Sequence, residues 1–245
     1  MRRMLFQWRG FRLWSYPAML YCGLVVGVAA GNLAAHGTGL DAFRAFVATL
    51  VLIPPSIIGA RLLFVVTHWN LYRNKARRIW SRQDGGMAMY GGMPVMLLLS
   101  LPLLKLLDLG FGAFWDVGVI TIMTAMVFAK IGCLLNGCCA GRASRTWMAI
   151  VLPGVTGVWE KRIPVQMLES GWAALLLVAG ALLLGRLPFR GALFLVVAAA
   201  YAAGRMCLEF LREREPQDTG MPLGHVASLL TIISALAILE IRWPR

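Results

Sequence analysis

Charge is what this chain of 245 residues has least of: 14% of its residues are Asp, Glu, Lys or Arg, against about 25% in an ordinary soluble domain. A soluble globular domain is excluded, because few ionised side chains remain to face water while 59% of the sequence is hydrophobic. Disorder is excluded on the same ground, since disordered chains are poor in apolar residues. Acidic residues are scarcest, 11 against 24 Lys and Arg, for a formal charge of +13. That excess does not point to nucleic acid, whose binders gather cations in a surface patch and carry no long apolar runs between them. Long polar stretches are missing too. The longest, Thr67 to Gly86 and Gly141 to Ile163, leave no room for a soluble domain. There is no internal repeat and no low-complexity tract, and histidine is limited to His36, His68 and His225.

What the chain has is apolar length. A helix needs about 20 mostly apolar residues to cross about 30 Å of hydrocarbon. About seven windows meet that need: Ala18 to Ala35, Phe43 to Val66, Met87 to Leu107, Phe114 to Leu135, Pro164 to Gly185, Gly191 to Leu211 and Leu223 to Ile241. The fold class expected is therefore all-α, a polytopic helical membrane protein with one transmembrane domain over residues 1–245. Arg2, Arg3, Arg9 and Arg12 precede the first window as in a signal peptide. The window is nevertheless long enough to span, and further spans follow, so it is expected to stay in the protein.

Cysteine says little about compartment. Cys22 and Cys207 fall inside spans, where a thiol acts as a small apolar residue. Cys133, Cys138 and Cys139 cluster at the end of the fourth span, but this spacing, with so few histidines, is a poor match to a closed four-ligand zinc site. The three are read as small packing residues, with no metal and no cofactor expected.

Ionisable residues inside a span are costly and mark function by default. Arg61 stands late in span two, after a Pro54-Pro55 pair expected to break or kink its helix. Lys130 stands late in span four, Glu169 early in span five, and Arg205 and Glu209 in span six. Tyr201, Arg205 and Glu209 recur every four residues and so share one helix face. Two glycine-rich segments adjoin spans three and four: Asp84-Gly-Gly-Met-Ala-Met-Tyr90-Gly91-Gly92, and Lys130-Ile-Gly-Cys-Leu-Leu-Asn136-Gly-Cys-Cys-Ala-Gly141-Arg142. Glycine lets backbone N–H groups approach an anion closely, and Lys and Arg beside such backbone suit a phosphate at headgroup depth.

In order and spacing these segments resemble the bacterial phosphatidylglycerol-prolipoprotein diacylglyceryl transferases, from Tyr16 to Gly224. Tyr16 is similar to the family's tyrosine opening the first helix, and Gly59-Ala-Arg61 to its glycine-glycine-arginine motif. The segment from Asp84 resembles D-G-G-M-x-x-H-G-G, with Tyr90 at the histidine. The segment from Lys130 to Arg142 resembles R-x-G-N-x-x-N-G-E-x-x-G-R, with Lys130 at the arginine, Cys133 at the asparagine and Cys138 at the glutamate. Pro164-Val-Gln166-Met-Leu-Glu169 resembles P-S-Q-x-x-E, and the segment from Tyr201 to Arg212 resembles Y-x-x-x-R-x-x-x-E-F-x-R.

The resemblance implies transfer of diacylglyceryl from phosphatidylglycerol to the lipobox cysteine thiol of a preprolipoprotein, in the bacterial cytoplasmic membrane. Sulfur attacks an sp3 carbon and a phosphate departs, so the chemistry requires a thiolate and positive charge on the leaving group. It implies Arg205, Tyr90 and Lys130 as catalytic residues. For binding it implies Tyr16, Arg61, Gly91, Gly92, Asn136, Gly141, Arg142, Tyr201 and Glu209. Two other readings stay open: a paralogue moving a lipid moiety to another acceptor, and a non-catalytic phospholipid-binding membrane protein. A transporter would show paired broken helices in two halves, and no such repeat is present.

Loop charge places the amino terminus in the cytoplasm by the positive-inside rule, whereas the family has that end outside. Several of the counted cations lie in motif segments and are accounted for by an anionic ligand. With the amino terminus outside, a fluorescent reporter fused after Arg245 lights up in the cytoplasm and alkaline phosphatase at that position is inactive. The reverse pattern would reject this orientation.

Overall fold

Each apolar window folds as a helix, the only open-chain backbone that satisfies its own polar groups inside a bilayer. The computed structural model describes residues 4–8, 11–73, 79, 89–154, 157–213 and 223–243. In chain order its elements are β1 (Met4–Trp8), β2 (Phe11–Trp14), α1 (Ser15–Thr38), α2 (Ala42–Thr67), α3 (Trp69–Tyr72), α4 (Met89–Leu106), α5 (Phe111–Asn136), β3 (Ile150–Pro153), β4 (Trp159–Arg162), α6 (Val165–Leu183), α7 (Ala192–Glu209) and α8 (Leu223–Arg242). Among them 6 are long and apolar enough to cross a membrane, and α4 adds the shorter apolar stretch Gly91–Leu106. The protein is a polytopic helical membrane protein, as the sequence predicts.

Three features differ from the sequence reading. The chain contains two antiparallel hairpins, β1 with β2 and β3 with β4, the second pairing Ile150 with Arg162 and Pro153 with Trp159. Their strands are too short to register as periodic apolar windows. Pro54 and Pro55 do not break α2, which runs through them. In hydrocarbon, losing two backbone hydrogen bonds costs less than opening a whole turn, and the Ser56 hydroxyl donates to the Ile53 carbonyl nearby. Cys22 and Cys207 are exposed on their helices rather than buried.

The chain forms two compact units, residues 1–39 with 112–245, and residues 40–111. In the larger unit α1 lies against α5 along Gly23, Gly27 and Gly31, one helix face spaced by four. A Cβ on Gly23 would stand 2.8 Å from the Phe128 Cβ, and one on Gly27 would stand 2.7 Å from the Thr121 carbonyl oxygen. Small residues at such spacing let two backbones approach where no hydrophobic effect drives helices together. Between α6 and α7 the Trp172 indole covers Gly204 and donates to the Ala200 carbonyl at 3.3 Å. Val119, Met123, Leu176, Leu193 and Val197 form the apolar core of this unit.

The amino-terminal end of α7 is capped from another helix. Asp116 of α5 accepts hydrogen bonds from the Gly191 amide at 2.6 Å and the Phe194 amide at 3.0 Å, satisfying donors that a helix start leaves orphaned. In the smaller unit α2 packs on α4 through Gly59, Gly91 and Gly92, where a Cβ on Gly92 would stand 2.8 Å from the Ser56 carbonyl oxygen.

Gly27→Leu should overpack the α1–α5 contact and lower the stability of the purified protein by about 1–3 kcal/mol. Thermal unfolding in detergent reads it, and an unchanged melting temperature would contradict the close approach of α1 to α5.

Candidate active site

Alternation of helix direction brings the start of α1, the end of α5, the start of α6 and the end of α7 to one end of the larger unit. Their ionisable side chains meet there. Glu169 of α6 is 3% exposed and lies between two cations. Its Oε2 is 2.7 Å from the Lys130 Nζ, and its Oε1 accepts from the Arg205 guanidinium. The other arm of Arg205 reaches the Glu209 carboxylate at 2.8 Å, one turn along α7, and Arg212 approaches the same carboxylate at 3.6 Å. Among the described residues, three cations thus share these two carboxylates. A charge in so apolar a place is tolerated only when paired.

The segment between α5 and α6 folds over this cluster. Gly141 donates its amide to the Ile163 carbonyl and Arg142 donates its amide to the Leu211 carbonyl, each at 2.9 Å. A Cβ on Gly141 would stand 2.7 Å from that Ile163 oxygen, so only glycine fits where the three backbones cross. Arg162 lies 3% exposed beneath, bonding Glu213 at 2.8 Å and also Glu160. Gln166, fully buried, donates to the Cys138 carbonyl at 2.7 Å.

Three thiols stand at the end of α5, with the sulfurs of Cys133, Cys138 and Cys139 all within 4.8 Å of one another. Tyr16 of α1 packs against α5 beside them, its Cα 3.5 Å from where a Cβ of Gly132 would be. The Cys139 thiol is pulled well below the usual thiol range, first by hydrogen bonds from Cys133 and Cys138 and then by the charges of Arg212 and Lys130.

Of the residues singled out in the sequence, Lys130, Arg205 and Glu209 are in the ion cluster, with Glu169 at its centre. Tyr16 and Asn136 border the thiols. Tyr201 packs on the apolar core of the unit, one turn from Arg205. Arg142 is exposed, its backbone held in the crossing. Arg61, in the smaller unit, is buried: its Nε donates to the Ile79 carbonyl at 2.7 Å, and its guanidinium lies 5.6 Å from the Phe64 and Tyr72 ring centres. Gly91 and Gly92 serve the α2–α4 contact. The Tyr90 side chain, and Asp84 to Ala88 before it, lie outside the described residues. Sequence reasoning missed the role of Arg162 and the contact that Gln166 makes with the Cys138 carbonyl. Arg162 read as one loop cation among many, and its only signal was Glu160 and Glu213 elsewhere in the chain.

Glu169→Gln leaves two buried cations with less to oppose them, which costs about 3–5 kcal/mol for a broken buried pair. Adding Lys130→Met should recover part of that loss. Strict additivity of the two changes in unfolding free energy would show that the two side chains do not interact.

The sequence matches the family described as prolipoprotein diacylglyceryl transferase over residues 3–241. It is similar to the phosphatidylglycerol–prolipoprotein diacylglyceryl transferase of Clostridioides difficile, 23% identical over 236 residues covering 96% of this chain and 93% of that protein. Proteins of the same name from Halalkalibacterium halodurans and Streptococcus pyogenes are each 26% identical, covering 96% and 93% of this chain and 84% and 90% of their own lengths. The order of motifs, the helical membrane fold and a match over nearly the whole sequence agree: the chain belongs to the prolipoprotein diacylglyceryl transferase family.

Proposed function

We propose that this protein transfers a diacylglyceryl group from phosphatidylglycerol to the lipobox cysteine of a prolipoprotein, in the cytoplasmic membrane of a bacterium, as a single membrane domain. The observation that carries this reading is the ion cluster of Lys130, Glu169, Arg205, Glu209 and Arg212 among apolar helices. Cations gathered in an apolar place suit the negative charge of a phosphodiester headgroup.

During transfer the acceptor sulfur attacks the glyceryl carbon and the carbon–oxygen bond to phosphate breaks. The phosphodiester monoanion then becomes a monoester dianion, so negative charge grows on the leaving oxygen. Preorganised cations in a water-poor site favour that change more strongly than water does. Arg205 suits the task because its guanidinium carries several N–H donors and stays charged at membrane depth. Glu169 and Glu209 fix the direction of the guanidinium, as a fork held on two sides cannot swing away. Lys130 adds a point charge. The exposure of Arg142 on the overlying segment supports a role in first contact with the headgroup.

The test is incubation of the purified protein with labelled phosphatidylglycerol and a lipobox peptide, following diacylglyceryl-peptide and released glycerol phosphate. Arg205→Lys keeps the charge count and loses the fork, so transfer should fall about 10²- to 10³-fold with the fold retained. Turnover within threefold of the unsubstituted protein would remove Arg205 from the phosphate site. Lipid bound with no peptide product from either protein would favour a non-catalytic phospholipid-binding role.

A further inference from the structure

The phosphate cluster leaves the second requirement of the reaction unmet: something must turn the acceptor thiol into a thiolate. An unperturbed thiol has a pKa of about 8.5, and a tyrosine phenol, at about 10, is a weak base for it at neutral pH. Beside the ion cluster stand Cys133, Cys138 and Cys139, which the sequence reading set aside as packing residues. Their convergence changes that reading. All three are free thiols, and their sulfurs lie within 4.8 Å of one another although the residues are spread over a helix end and the turn beyond it.

The backbone is bent to bring them together. Gly137 at φ 75° ends α5, and Cys139 takes φ 63°, left-handed values that a side chain other than glycine adopts only at a cost of about 1–2 kcal/mol. Strain of this kind persists where the surroundings hold it in place. Here the Cys138 amide donates to the Cys133 carbonyl at 3.1 Å and the buried Gln166 holds the Cys138 carbonyl. Cys133 is buried on the helix, while Cys139 is the more exposed of the three, beyond the helix end.

We infer that Cys133, Cys138 and Cys139 form a three-thiolate site for a divalent d10 cation of the Zn(II) class, with a fourth position open to the acceptor thiol. The role of that fourth position rests on the function proposed above, while the metal site itself does not. Metal–thiolate bonds of about 2.3 Å place the sulfurs of a tetrahedral site about 3.8 Å apart, inside the 4.8 Å that bounds their spacing here. Zinc sites that do chemistry keep three protein ligands and one exchangeable position, whereas closed sites have four.

A thiol that coordinates such a cation loses its proton outright. The acceptor R–SH therefore binds as R–S⁻ and its proton passes to water. The sulfur lone pair then forms the bond to the glyceryl carbon, and the electron pair of the breaking carbon–oxygen bond leaves with glycerol phosphate. The product thioether is a weaker, neutral ligand and departs. Protons, charge and electron pairs balance, with neither oxidant nor reductant.

The full-length protein, stripped with chelator under reducing conditions, is titrated with Zn(II) and with Co(II). One Zn(II) per chain, near-ultraviolet thiolate-to-cobalt bands and tetrahedral visible bands that move when a lipobox peptide thiol is added are expected. Cys139→Ser should weaken binding by at least about 10- to 100-fold, whereas Cys22→Ser and Cys207→Ser should leave it unchanged. No metal beyond that held by a variant lacking all three thiols would overturn the site, and cobalt bands indifferent to the peptide would overturn the open position. Undiminished transfer by stripped protein would reject the activating role while leaving the transferase reading intact. A spectral response to the peptide without any transfer would support the metal site and instead reject the transferase reading.

Discussion

Everything at the functional end of the larger unit depends on one buried carboxylate. Without Glu169, Lys130 and Arg205 would bring two cations together in an apolar environment where each needs a partner. With it, α5, α6 and α7 are held by charge at the level where the chain crosses back over itself. Glu169 thus supports the fold and sets the balance of charge that a phosphate would meet.

Much of this was legible in the sequence, because a bilayer simplifies the reading. The seven apolar windows coincide with helices to within a few residues, since length and hydropathy decide a span almost unaided. Tyr201, Arg205 and Glu209 were placed on one face by periodicity, and the Arg205–Glu209 pair follows from it directly. What periodicity could not supply was contact between helices: that Glu169 lies between Lys130 and Arg205, that Asp116 caps α7, and that Arg162 meets Glu213. Such pairs join residues tens of positions apart, and nothing local marks them.

The glycines show the same division. Their abundance in the motif segments suggested a phosphate cradle, yet Gly91 and Gly92 are accounted for by contact with α2, and Gly141 by a crossing of three backbones. The row Gly23, Gly27 and Gly31 was visible in the sequence at helical spacing and marks the α1–α5 contact. A glycine in a membrane helix records how closely another backbone approaches, and which backbone that is appears only in the folded chain.

The Asp116 cap has a mechanical consequence. It ties α5 to the start of α7, while Glu169, held by Lys130 of α5 and Arg205 of α7, couples the same two helices at their opposite ends. Two helices joined at both ends cannot slip past one another along their length without breaking these polar contacts. A piston-like stroke is therefore opposed in this pair, which acts as a strut of fixed register.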